Sequence, residues 1–307
     1  MVIGAGSVGT TYIYALLSTG LAAEIALIDI DRKRVEGEIM DLSHGLPFIP
    51  PVIIRPGDYA DCADANLIVV TAGAKQASGQ SRTELIQKNA DIIRTITDEI
   101  SKTDSDAVLV MVTNPVDALT QLALKELNWP SRRVIGSGTV LDSARFRYML
   151  SRHCSIDARN VHAYILGEHG DSEVAAWSMA HIAGAPIHQY CAICRRCDWK
   201  KHHRKIAEQV RDSAYHIIDY KGSTYYGIGL SLVRISGAVL RNEHSVLTVS
   251  TLLKGQYDID DICLSLPCVI GEQGVEQVIT SPLSAGEHAA LKRSAEAIRT
   301  VWGSLRG

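Results

Sequence analysis

The residues best suited to chemistry lie mid-chain, in Gly167-Glu168-His169-Gly170-Asp171-Ser172. An imidazole set between two glycines and two carboxylates, just after the apolar run Ala163-Tyr164-Ile165-Leu166, is placed like a proton carrier at the end of a strand. Histidine titrates near neutral pH and can both give and take a proton. Gly, Asp and Ser also mark plain surface turns, so the segment needs partners before it implies catalysis. Asp142 and Arg145 offer themselves as those partners. They stand three residues apart in Gly136-Ser137-Gly138-Thr139-Val140-Leu141-Asp142-Ser143-Ala144-Arg145-Phe146-Arg147, and a helix there puts them on one face. A surface ion pair of little weight is one reading of them. The other divides them: Arg145 clamps a substrate carboxylate through two parallel hydrogen bonds, while Asp142 orients His169 and stabilises its protonated form.

Such residues need a frame, and the first half of the chain supplies one for a nucleotide. Gly4-Ala5-Gly6-Ser7-Val8-Gly9 follows a short apolar start and leads into a helical stretch from Thr10 to Leu17. Glycines at that spacing permit a tight turn, close approach of backbone to a pyrophosphate, and close helix–sheet packing, with the helix N-terminus facing the phosphates. The motif alone is weak. It is followed by the apolar strand Glu24-Ile25-Ala26-Leu27-Ile28, ending in Asp29. A carboxylate there suits the ribose hydroxyls of NAD and repels the extra phosphate of NADP. Asp31 could equally be the helix cap or turn residue, and Asp29, directly at the strand end, is preferred for the ribose. Only three residues precede Gly4, so either the first strand is unusually short or the N-terminus lacks residues of the native chain.

Two further apolar runs, Asn66 to Thr71 and Ala107 to Thr113, read as parallel strands covered on both faces, with helices at about Arg32 to Met40 and Thr83 to Lys102 between them. This alternation predicts a doubly wound sheet with ligands at the C-terminal strand ends: Asp29, Thr71-Ala72-Gly73-Ala74 and Thr113-Asn114-Pro115. The polar stretch from Ala74 to Arg82 lies at that edge and reads either as a solvated loop or as a lid carrying Arg82 onto a bound substrate. Later, Ile206 to Tyr220, Gly227 to Leu240 and Ala285 to Leu305 have helical spacing, and Ser245 to Leu252 and Ile262 to Pro267 read as strands.

Composition limits the alternatives. The 307 residues are 46% hydrophobic and 21% charged, ordinary for a globular chain, and a net charge of −3 gives no support to a nucleic-acid or anionic-membrane partner. No leader and no long apolar segment is evident, which points to the cytoplasm. Seven cysteines, an odd number, fit reduced thiols. Cys191, Cys194 and Cys197, with His188, His202 and His203 nearby, have the ligand types of a zinc site but lack its two well-spaced pairs. They are read as reduced thiols in a surface excursion, with no metal.

Taken in order, GAGSVG, the strand ending in Asp29, GEIMDLSHG, TAGA, VTNPVD, GSGTVLDSARFR, GEHGDSE and KGSTYYGI resemble the lactate/malate dehydrogenase family, most closely its bacterial L-lactate-specific members. The resemblance runs from Gly4 to Ile228, and more loosely to the C-terminus. It implies an α/β fold: a doubly wound (Rossmann) NAD-binding domain over 1–138 and an α+β substrate domain over 139–307. It implies hydride transfer between NADH and a small 2-oxo acid, pyruvate, with His169 as acid/base catalyst and Asp142 as its orienting partner. Arg145 would bind the carboxylate, Arg82 would polarise the carbonyl, Asn114 would contact substrate and nicotinamide, and Thr224 would line the pocket. Cofactor contacts would come from Gly4, Gly6, Val8, Gly9, Asp29, Arg34, Tyr59, Gly73, Ala74, Val112, Asn114 and Ser137.

The chemistry is coherent on its own grounds. Reducing a 2-oxo acid requires a proton for oxygen as hydride reaches carbon, and a fixed charge for the carboxylate. Gln76 matches the family's specificity position. A neutral side chain there leaves a second carboxylate unpaired and favours pyruvate over oxaloacetate, although neighbouring Lys75 weakens that inference. Arg147 and His162 match positions at which bacterial relatives bind fructose 1,6-bisphosphate across a subunit interface, implying an effector and a homotetramer. Rival readings are a malate or other 2-hydroxy acid dehydrogenase and, from another class, a non-catalytic NAD-binding redox sensor.

Overall fold

A computed structural model describes residues 1–74, 81–194 and 199–305, with the backbone alone for residues 82, 192–194 and 199–201. The first half alternates strands and helices: β1 (Val2–Ile3), α1 (Ser7–Leu17), β2 (Glu24–Ile28), α2 (Arg32–His44), β3 (Ile53–Pro56), β4 (Leu67–Val70), α3 (Arg82–Ser101), β5 (Val108–Met111), α4 (Val116–Leu127) and β6 (Val134–Gly136). These six strands are parallel, in the order β3-β2-β1-β4-β5-β6. This is the doubly wound sheet expected from the apolar runs.

The core explains why those runs do not alternate with polar residues. Successive side chains of a strand point to opposite faces. Ile68, Val70, Leu109 and Met111 accordingly enter one buried cluster with residues of α3 and α4, while Leu67, Val69, Val108 and Val110 enter another with residues of α1 and α2. With both faces covered, every position must be apolar. β1 has only two residues, yet both are buried and hydrogen-bonded between β2 and β4.

The second half contributes α5 (Val140–Cys154), β7 (Val161–His162), β8 (Ile165–Leu166), β9 (Val174–Ala175), β10 (His181–Ile182), β11 (Ala185–Pro186), α6 (Ile187–Cys194), α7 (Trp199–Lys221), α8 (Tyr226–Leu240), β12 (Ser245–Lys254), β13 (Asp260–Gly271), β14 (Gly274–Val278) and α9 (Ala285–Leu305). The long strands β12, β13 and β14 form an antiparallel meander that joins β6 through Ser250 opposite Gly136. One nine-stranded sheet therefore runs from the nucleotide half into the second half. α8 returns to the first half, where Tyr12 of α1 and Ser236 of α8 share a buried hydrogen bond of 2.7 Å. β7, β10 and β11 make a small separate sheet, and β8 with β9 make a hairpin. Among the described residues no helix is long and apolar enough to cross a membrane.

Candidate active site

The nucleotide rim lies where β1, β2, β4 and β5 end. Gly4 has φ of +115°, and a Cβ there would come within 2.5 Å of the Ala72 nitrogen. Gly9 lies so close beneath the loop that a Cβ would meet the Gly4 carbonyl oxygen at 2.0 Å. A Cβ at Gly6, the N-cap of α1, would meet nothing within 4 Å. The three glycines therefore divide the work: a turn, a space left open in front of a helix N-terminus, and close helix–sheet packing. Asp29 accepts the Ala5 N–H at 2.7 Å and the Asp31 N–H at 3.0 Å, whereas Asp31 caps α2 by accepting the Arg34 N–H at 3.1 Å. Asp29 thus holds the loop after β2, and Asp31 is the cap of α2.

The other expected contacts gather around this rim. Tyr59 is half-buried, and its phenol is pushed up first by burial and then by the charges of nearby groups that include Asp29. A Cβ on Gly73 would strike the Thr113 methyl at 2.6 Å, so the ends of β4 and β5 lie against each other. Asn89 of α3, absent from the expected site residues, ties those ends together: it accepts the Ala74 N–H at 2.8 Å and donates to the Asn114 carbonyl at 2.8 Å. Ser137 is buried and donates its N–H to the Met111 carbonyl, while Val8 and Val112 pack at the edge of the core. The Arg34 side chain reaches Glu38 at 3.6 Å on the exposed face of α2. An open cradle at a helix N-terminus, with a carboxylate at the end of the second strand, fits NAD.

The catalytic cluster is assembled by tertiary contacts. Thr139, the N-cap of α5, and Ser143 within it grip Ile165: the Thr139 hydroxyl donates to the Ile165 carbonyl at 2.6 Å, and the Ile165 N–H donates to the Ser143 hydroxyl at 2.9 Å. This fixes α5 against β8, and His169 lies four residues on. Asp142, with its side chain only 3% exposed, meets His169 Nδ1 through Oδ2 at 2.5 Å and accepts from Arg145 Nη1 through Oδ1 at 2.7 Å. The structure joins an element of each sequence reading of Asp142 and Arg145: the ion pair forms, and Asp142 also holds the imidazole. The pair is buried, not on the surface. Arg145 spends one N–H on it and retains others for a carboxylate.

Charge follows from burial. The Asp142 charge raises His169 to about 9, against the opposing effect of burial. Burial works against the Asp142 carboxylate, but His169 and Arg145 together outweigh it and hold its pKa below the usual value. At neutral pH the cluster is an imidazolium, a carboxylate and a guanidinium.

The carboxylates flanking His169 in sequence have partners of their own. Glu168 accepts from the Ser172 hydroxyl, and its N–H donates to Ser294 of α9 at 2.8 Å. Asp171 accepts from the Tyr215 hydroxyl of α7 at 2.5 Å. Gly167, at φ +90°, pairs with Ser265 of β13 on both sides. Asp117, buried in the first turn of α4, accepts the His169 N–H at 2.8 Å. It belongs to the quoted motif VTNPVD, whose place in the family resemblance was the available signal.

Thr224 lies partly buried in the connection between α7 and α8. Gln76 and the rest of the expected lid through Gln80 lie outside the described residues, as does Cys197; Arg82 begins α3. Cys191 is buried among Phe146, Ile187 and Ile206, which corrects its placement on the surface. Arg147 donates to the Ala158 carbonyl at 3.3 Å, and His162 is exposed beside a cavity of about 540 Å³ that His181 and Tyr164 also line. Among the described residues no hydrogen bond joins Arg147 to His162.

Comparison with known proteins agrees with this construction. Residues 1–136 match the lactate/malate dehydrogenase NAD binding domain, and residues 139–302 the lactate/malate dehydrogenase alpha/beta C-terminal domain. An L-lactate dehydrogenase of Treponema denticola is 54% identical over 306 residues, covering 99% of this chain and 97% of its own. One from Acetivibrio thermocellus is 50% identical over 304 residues, covering 99% and 96%. A lactate dehydrogenase from a Medee basin deep-sea metagenome library superposes with a TM-score of 0.97 at 43% identity, over 100% of this chain and 98% of that one. The minor L-lactate dehydrogenase of Enterococcus mundtii in its ligands-bound form gives 0.96 at 41%, over 99% and 97%. With both halves matched, this chain belongs to the lactate/malate dehydrogenase family, and its first half is that family's NAD-binding domain.

Proposed function

We propose that the chain is an L-lactate dehydrogenase that interconverts pyruvate and L-lactate, with His169 as its acid/base group. The observation that carries this reading is the buried sequence Arg145–Asp142–His169, joined at 2.7 and 2.5 Å. NAD, when bound, supplies the hydride chemistry. The residues do the rest. Arg145 seats the substrate carboxylate, and the His169 imidazolium gives its proton to the carbonyl oxygen, whose negative charge grows as carbon is reduced. Asp142 stays ionised, so the imidazole keeps one orientation and a stabilised charged form. In the reverse direction neutral His169 takes the hydroxyl proton. Arg82 polarising the carbonyl, Asn114 and Thr224 lining the pocket, and Gln76 excluding a dicarboxylate belong to the same reading, as does a division at Gly138. It is supported by relatives named L-lactate dehydrogenase at about half identity.

Activation by fructose 1,6-bisphosphate at Arg147 and His162, in a homotetramer, is the finer part. His162 borders a cavity, and the buried Nε of Arg147 has no hydrogen-bond partner among the described residues. A phosphate would give that N–H an acceptor.

NADH oxidation measured with pyruvate and with oxaloacetate, each with and without the bisphosphate, tests all of this. The expected result is preference for pyruvate, sharpened by the bisphosphate, and loss of about 10³–10⁴-fold in kcat for His169→Ala. Preference for oxaloacetate would overturn the assignment to Gln76, and full activity of His169→Ala would overturn the site.

A further inference from the structure

The loop that carries His169 is tied down at three successive residues, each to a different element. Gly167 exchanges both main-chain hydrogen bonds with Ser265 of β13, at 2.9 and 3.1 Å. The Glu168 N–H donates to Ser294 of α9, and the His169 N–H to Asp117 of α4, both at 2.8 Å. Of the three ties, the last alone reaches the nucleotide half. Asp117 stands in the first turn of α4, three residues after Asn114, whose carbonyl is held by Asn89. The second Asp117 oxygen faces the Ser265 hydroxyl at 3.5 Å, so Asp117, Ser265 and the backbone from Gly167 to His169 close into one ring of contacts. The Asp117 side chain lies in a residue only 1% exposed, and burial pushes its carboxyl up to about 6. A buried carboxylate is a costly way to fill space, because an apolar side chain of the same shape fills it without losing hydration. Its oxygens must therefore have a use. A histidine is placed by where its main chain lies and by how its ring turns. The contact of Nδ1 with Asp142 at 2.5 Å fixes the turn of the ring, and the N–H bond to Asp117 fixes the main chain from which it hangs. Two carboxylates, one from each half of the molecule, hold one imidazole, and Nε2 is the nitrogen left for the proton.

We propose that Asp117 is a positioning residue for His169: its grip on the main-chain N–H keeps Nε2 in line with the substrate carbonyl, and it does so from the chain segment that carries Asn114. The proposal rests on the site reading above, in which Asn114 meets the nicotinamide and His169 gives the proton. Hydride donor and proton donor are then referred to one short stretch, Asn114 to Asp117. Their spacing is set by the first turn of α4 instead of by the looser junction of the two halves. Displacing a reacting group by about 1 Å lowers a rate on the order of 100-fold, which is the scale of effect this contact controls.

Three substitutions test it. Asp117→Leu keeps the branched shape but offers the His169 N–H no acceptor, Asp117→Asn keeps an acceptor and drops the charge, and Asp117→Glu keeps both on a longer stem. The reading is kcat for pyruvate reduction per NADH-binding site, the sites and the NADH affinity being titrated by fluorescence. Asp117→Leu should lose about 10–100-fold and Asp117→Glu about tenfold, while Asp117→Asn should recover to within about threefold of the wild type. NADH affinity should stay within about twofold in all three, because a contact felt only as the reaction proceeds lowers kcat and not cofactor binding. A purely structural role would lower the melting midpoint and leave kcat per site unchanged. Asp117→Leu within about threefold of the wild type, equal losses in Asp117→Leu and Asp117→Asn, or NADH affinity falling in step with kcat would overturn the proposal. If Asp117→Leu does not fold, Asp117→Glu decides, and an unchanged kcat there overturns it. Full activity of His169→Ala would instead overturn the site reading.

Discussion

At the nucleotide rim the working groups are mostly backbone: Gly4, Gly6 and Gly9 act through side chains they lack, and Asp29 accepts main-chain N–H groups at 2.7 and 3.0 Å. At the catalytic end the working groups are charged side chains from distant segments, with Asp142 gripping a histidine 27 residues away and an arginine one turn on. The first arrangement depends on local chain geometry and is written in a few consecutive residues. The second depends on burial, because the same kind of ion pair has no such consequence in water. Arg159 and Asp157 lie 2.6 Å apart, as close as Arg145 and Asp142, but their side chains are 88% and 43% exposed. Such pairs contribute little.

Substitutions can break this contrast, and after His169 itself the largest effect is expected at Asp142. Asp142→Asn leaves Arg145 and His169 without their shared counter-charge, and kcat/KM for pyruvate should fall on the order of 100–1000-fold. The midpoint of its pH profile should also move from about 9 toward the ordinary 6.5 of histidine. A midpoint unmoved in steady-state kinetics would mean that Asp142 does not set the histidine's charge.

The sign of the pH dependence follows from the direction of that shift. His169 is raised, so its protonated form, and the stability it lends the fold, is fully present below about 6.5 and is lost as pH rises through about 9. Pyruvate reduction should decline through about 9, and lactate oxidation should increase through the same range. Asp142 is depressed, so its contribution is present above the ordinary carboxylate value of 3.8 and fades as pH falls below that.

At the nucleotide rim the glycines should separate binding from stability. In Gly9→Ala the new methyl meets a carbonyl oxygen at 2.0 Å, so thermal midpoint and NADH affinity should both fall. In Gly6→Ala the methyl enters open space, and NADH affinity alone should fall in a fluorescence titration. Equal losses of stability in the two variants would erase the distinction. The smallest effect is expected from Arg159→Ala, which should leave both the melting midpoint and kcat unchanged.

Much of the site was legible in advance for a physical reason. A tight turn, a helix start and a strand end are local events, so GAGSVG and Asp29 announce themselves through spacing, and unbroken apolar runs announce strands covered on both faces. His169 was visible as chemistry and Asp142 as one reading of its partner, while the carboxylates beside it in sequence have other partners: Glu168 is engaged by Ser172 and Ser294, and Asp171 by Tyr215. Asn89 carried no local pattern, and Asp117, although inside the motif VTNPVD, gave no sign of its partner, because each works across the fold. Nothing in Ser245 to Val278 indicated that β12 to β14 would extend the nucleotide-binding sheet, since strand pairing is decided by which edge remains free. The amino-acid sequence by itself determined the nucleotide loop, the parallel strands and the inventory of reactive groups, all set by short-range sterics and periodicity. Only the tertiary structure decided which carboxylate meets the imidazole and that their pair is buried, because exclusion of water is a property of the whole fold and exclusion of water gives those charges their strength.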